Sequence, residues 1–108
     1  MAQNPYNAQT SVQTTSGGQL TALNVTAATV IKPNPGRVLR VTVLSVATGG
    51  TFGVYDTTTT GAAATANAIV QYTAAWPAVG TVLTLEFPCA NGIVVNPGTG
   101  GAVSVSYL

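Results

Sequence analysis

From Leu20 to Leu108, apolar residues come in short runs and alternations broken by Pro, Gly and Asn clusters. No segment sustains the spacing of an amphipathic helix, so the pattern predicts strands. In Thr81–Phe87, Leu83, Leu85 and Phe87 point one way and Val82, Thr84 and Glu86 the other. Ala102–Leu108 sets Val103, Val105 and Tyr107 against Ser104, Ser106 and Leu108. Arg37–Ala47 places Leu39, Val41 and Val43 on one face, and Val38, Arg40, Thr42, Leu44 and Val46 on the other. Apolar residues on both faces predict a strand covered on both sides over part of its length. Leu20–Lys32, Thr51–Asp56, Ile69–Thr73 and Ile93–Val95 complete the set.

The breaks are read as turns. Pro35-Gly36 carries a type II signature. Gly49-Gly50, Trp76-Pro77 with Val79-Gly80, and Asn96-Pro97-Gly98 turn the chain, and Asn91-Gly92 reads as a hairpin. The Thr- and Ala-rich stretch from Thr57 to Ala68 reads as a loop. About seven short strands with turns roughly 8–15 residues apart predict one all-β domain over 20–108. The expected fold is a single antiparallel β-sandwich or jelly-roll-like barrel. Residues 1–19 differ: they are rich in Gln, Asn and Thr, have few large apolar side chains beyond Tyr6 and Val12, and end in Ser16-Gly17-Gly18. Such a segment does not offset its own ordering entropy, so an extended N-terminal arm, fixed only by a partner, is expected.

Composition sharpens the picture through what is scarce. Charged residues make up 5% of the 108, against about 25% in a typical domain. The ionic set is Lys32, Arg37, Arg40, Asp56 and Glu86, and Thr and Ser take over the surface role. A hydroxyl-rich strand face packs against another protein without desolvating charge, whereas soluble monomers generally carry more charge to stay apart. The shortage therefore points to assembly. Arg37 and Arg40, near the start of one strand, read as a solvated strand edge that discourages mispairing. With net charge +1 there is no basic cluster to neutralise phosphates, so nucleic acid is not an expected partner. No run approaches the roughly 20 apolar residues of a membrane-spanning helix, and the N-terminus lacks the basic-then-apolar order of a secretory leader.

Catalytic chemistry lacks its residues. There is no His, one Cys and two carboxylates, so neither a metal site nor a cofactor is expected. Cys89 has no base to activate it and reads as a core thiol. Asp56 is expected to bond its own turn backbone, and Glu86 to be exposed or paired with Arg37, Arg40 or Lys32. Gly98-Thr99-Gly100-Gly101 has no following Lys and is no phosphate loop. The reading is a protein that is not an enzyme. Among large amphipathic residues, which favour interfaces, Tyr6 in the arm and Trp76 in a turn are the contact candidates. Pro5, Val12 and Tyr72 join them.

Several stretches resemble small virion proteins of tailed bacteriophages: Gly-Arg-Val-Leu-Arg-Val-Thr-Val (36–43), Gly-Val-Tyr-Asp (53–56), Ala-Asn-Ala-Ile (66–69), Phe-Pro-Cys-Ala-Asn-Gly-Ile-Val-Val-Asn-Pro-Gly-Thr-Gly (87–100) and Val-Ser-Val-Ser-Tyr (103–107). The resemblance covers residues 33–108 and is to minor capsid and head decoration (cement) proteins. It implies a β-sandwich made in the host bacterial cytoplasm that binds the major capsid protein on the outside of the virion. It also implies a homo-oligomer, a trimer at three-fold positions. Two other readings accommodate the same composition: a tail- or fibre-associated adaptor, and a carbohydrate-binding β-sandwich with Trp76 and Tyr72 as its platform.

Overall fold

The computed structural model describes residues 18–108. It has eight strands: β1 (Leu20–Val25), β2 (Thr29–Lys32), β3 (Gly36–Ser45), β4 (Gly49–Tyr55), β5 (Ala68–Tyr72), β6 (Val82–Cys89), β7 (Ile93–Thr99) and β8 (Ala102–Tyr107). The only helical pieces among the described residues are two 3-10 turns, Thr60–Ala62 and Thr65–Asn67, in the β4–β5 connection. None is long and apolar enough to cross a membrane. Every strand pairing is antiparallel. Two four-stranded sheets result, in the orders β1-β8-β3-β6 and β2-β7-β4-β5.

That order is the expected sandwich with jelly-roll connectivity. The pairs β1–β8, β2–β7, β3–β6 and β4–β5 are those of one long folded-back ribbon. Wrapping the ribbon adds β3–β8 and β4–β7 and closes the two sheets. Between the sheets, Val38, Val41, Val43, Val103 and Val105 meet Phe52, Val54, Ile93 and Val95. Short β-branched side chains suit both a pleated strand and the roughly 10 Å gap between packed sheets. Each contributes about 1.5–3 kcal/mol on burial.

Several local expectations change. The apolar stretch Leu20–Lys32 is two strands on different sheets, broken at Thr26–Ala28. Pro35-Gly36 does not form a type II turn, because Gly36 lacks a positive φ and opens β3. Asn91-Gly92 crosses from β6 in one sheet to β7 in the other and is not a hairpin. Asn96-Pro97-Gly98 lies inside β7, and the chain turns after Thr99 instead. In β3 a register shift between Val38 and Arg40 lets Val38, Val41 and Val43 all reach the core. The apolar residues on both nominal faces of β3 thus reflect a bulge. Nor is β3 an edge: it lies between β8 and β6. Arg37 reaches across to donate from Nη1 to the Glu86 carbonyl at 2.9 Å, and Arg40 stands on the outer sheet face.

Gly92 is where three segments converge. A Cβ there would lie 2.6 Å from the Thr57 carbonyl oxygen and 2.7 Å from that of Lys32, both backbone atoms. Gly92→Ala is expected to cost about 1 kcal/mol or more through overpacking, read as a lower urea midpoint with an unchanged slope. An unchanged midpoint would show that the backbone there yields freely.

Candidate protein interface

Chemistry-bearing side chains gather at one end of the sandwich. Asp56, just past β4, receives backbone N–H donors from Ala90 (3.0 Å), Asn91 (2.8 Å) and Gly92 (3.3 Å). It therefore holds a turn 34 to 36 residues away, not its own turn as expected. Partial burial raises its pKa, but the N–H donors of Asn91, Ala90 and Gly92, with the Asn91 side chain, outweigh this and hold it below the ordinary value. Beside it is an open cleft of about 320 Å³ lined by Asp56, Asn67, Ile69, Phe87 and Asn91 among others. Its polar side chains are already engaged. Asn67 accepts from the Ala64 N–H and donates to the Ala62 carbonyl, both at 2.9 Å, and Asn91 bonds Asp56. The cleft is a structural junction. Among the described residues no three potential metal ligands cluster.

The contact candidates fall in different places. Pro5, Tyr6 and Val12 lie outside the described residues. Tyr72 packs edge-to-face on Phe52, with ring centroids 5.6 Å apart. Trp76 packs against the core and donates from Nε1 to the Gly50 carbonyl at 3.2 Å. Both rings are partly buried.

A surface that single-residue reasoning missed is the outer face of the β1-β8-β3-β6 sheet. Register places Thr21, Ser106, Arg40 and Thr84 in one row across all four strands. Ser104, Thr42 and Val82 form a parallel row. Leu23 is 73% exposed and Val82 50%. A shallow groove of about 200 Å³ runs among Thr21, Leu23, Arg40, Thr42, Ser104 and Ser106. Arg40 and Glu86, 4.0 Å apart, bring the face's charge of each sign. Period-2 alternation did mark Val82, Thr84 and Glu86 as sharing a face. Cross-strand register, invisible from one segment, is what assembles them with Leu23 and Arg40.

The other sheet is less open on its outer side. Tyr55 and Val94 pair with each other on its outer side, yet both are buried. Tyr55 lies over Gly53, and its hydroxyl accepts from Gln71 Nε2 at 3.3 Å. The Thr65 hydroxyl from the β4–β5 connection meets Gln71 Oε1 at 3.0 Å. The outer side of this sheet is thus partly covered at Tyr55 and Val94, although Val30, the β2 partner of Val94, is 37% exposed.

Comparison of the chain with protein-family models, curated proteins and solved structures finds no match.

Proposed function

We propose that this chain is a structural protein of a tailed-bacteriophage virion, a decoration or cement protein that binds the major capsid protein shell from outside and stabilises the head. The single observation that carries the proposal is a charge-poor jelly roll with one bare hydroxyl-and-apolar sheet face. A coat component must pack against neighbours repeated many times over the shell. A strand face whose charges are one Arg40–Glu86 pair of opposite sign leaves little unpaired charge when it is covered, and repetition multiplies weak contacts into avidity. Jelly rolls recur in viral capsids, a fold-level analogy that supports the same reading.

Quantitative mass spectrometry of purified particles is the test. The expected result is a fixed, high copy number that stays with DNA-filled heads after tails are removed. Recovery only with the tail fraction, or in a handful of copies, refutes the head assignment.

A further inference from the structure

Routes for association are few, because all four edge strands are interrupted. Along β1 the chain runs from Ala22 to Val25 while β8 runs only from Val105 to Val103, and Asn24 has φ 53°. Along β2, Val30 to Lys32 faces Val94 to Ile93. Along β5, Ala68 to Val70 faces Tyr55 to Val54. Along β6, Thr84 to Phe87 faces Arg40 to Val38, with Glu86 at φ 52°. Each edge thus carries an extra residue that breaks the ladder a further strand would need, a recurrent defence against edge-to-edge pairing. With Tyr55 and Val94 on the outer side of the β2-β7-β4-β5 sheet buried, the more open surface for a flat contact is the outer face of β1-β8-β3-β6, where Leu23 is 73% and Val82 50% exposed.

The charges on that face say what fits it. Arg40 and Glu86 are of opposite sign, sit side by side, and have side chains 56% and 53% exposed. At 4.0 Å and so open to water, their mutual attraction is weak. A strongly acidic partner would repel Glu86, and a strongly basic one Arg40. A second copy turned about a two-fold axis between them presents Glu86 to Arg40 and Arg40 to Glu86. Such a face is its own complement. Leu23, the most exposed large apolar residue described, stands beside the groove and gives each copy a projection and a recess.

We propose that a second copy of this chain packs face to face on the β1-β8-β3-β6 sheet about a two-fold axis, with Arg40 of each copy against Glu86 of the other. The inference rests on reading this face as a contact surface, not on the virion. It replaces the three-fold arrangement implied by the resemblance with a two-fold pair, in which the neighbour that covers this face is a second copy of the chain.

Sedimentation velocity on the purified full chain, up to about 100 µM, tests it. The wild type is expected to pass from monomer to dimer with concentration, less readily as salt rises. Arg40→Glu and Glu86→Arg are each expected to weaken the dimer at least about tenfold. Mixing the two single variants should restore pairing, because each then presents the charge that the other lacks. Circular dichroism confirms that both variants fold. Monomers throughout, a trimer, or a dimer indifferent to both single variants overturns the inference. So does failure of the mixture to recover. Since virion occupancy is measured separately, a chain that decorates heads yet never dimerises sinks this inference alone.

Discussion

Truncating Phe52 to alanine is expected to cost about 3–5 kcal/mol, the largest effect of any single substitution proposed for this protein. A domain of this kind has about 5–15 kcal/mol of stability in all, so a loss of this size is a large share of the whole. Phe52 is 2% exposed and sits where three strands meet. Its register partners are Tyr72 on β5 and Pro97 on β7. Its ring also receives Tyr72 edge-to-face at 76°, a geometry worth about 0.5–1.5 kcal/mol beyond area burial. The surrounding core is mostly valine. Valine has one stiff χ1 and no reach, so neighbours have little means of refilling the hole. Urea unfolding gives the measurement, with two controls. Phe52→Leu keeps most of the volume and should lose far less. Phe87→Ala removes the same ring from a site 42% exposed and should cost under about 1 kcal/mol. A Phe52→Ala loss below about 1.5 kcal/mol would mean the core collapses around the gap.

The same contrast shows what the sequence carried and what it did not. Val103, Val105, Leu83 and Leu85 were legible as inward-facing because alternation along a strand is a local property. The two-sheet architecture followed from counting strands and breaks. Connections were less legible. Asn91-Gly92 has hairpin chemistry, but tertiary packing against Thr57 and Lys32 uses its missing Cβ for a crossing between sheets. Asn96-Pro97-Gly98 has turn chemistry, yet Pro97 and Gly98 are accommodated within β7, with Gly98 at φ 82°. The bulge in β3 moved Val38 into the core, and no rule of period 2 anticipates an inserted residue. The candidate face was the least legible element, because Thr21, Ser106, Arg40 and Thr84 come from four strands spread over the whole domain. What composition did supply was the premise: a surface with so few charges is suited to being covered.

That scarcity also makes two groups stand out in the pH dependence of stability, Asp56 and Cys89. The folded structure depresses the Asp56 pKa below its ordinary 3.8. A depressed carboxylate contributes stability above its unfolded pKa and loses it as pH falls through the folded value, so an acid limb should open below about pH 5. With no His in the chain, none of the usual imidazole titration intervenes near neutrality. On the alkaline side, burial and then the nearby Asp56 charge raise the Cys89 thiol above its ordinary 9.0. A raised thiol contributes stability fully present below its unfolded pKa and lost as pH rises towards the folded one. Urea midpoints across the pH range should therefore trace a plateau, with Asp56 contributing to the acid shoulder and Cys89 to the alkaline one. Asp56→Asn is expected to flatten the acid shoulder. It also lowers the plateau by about 1–2 kcal/mol, because the Ala90, Asn91 and Gly92 donors lose a charged acceptor in a largely solvated site. Cys89→Ala should flatten the alkaline shoulder while leaving the acid one in place. If acid unfolding of Asp56→Asn keeps the wild-type slope, the carboxylate clamp on the β6–β7 connection is not what fails at low pH.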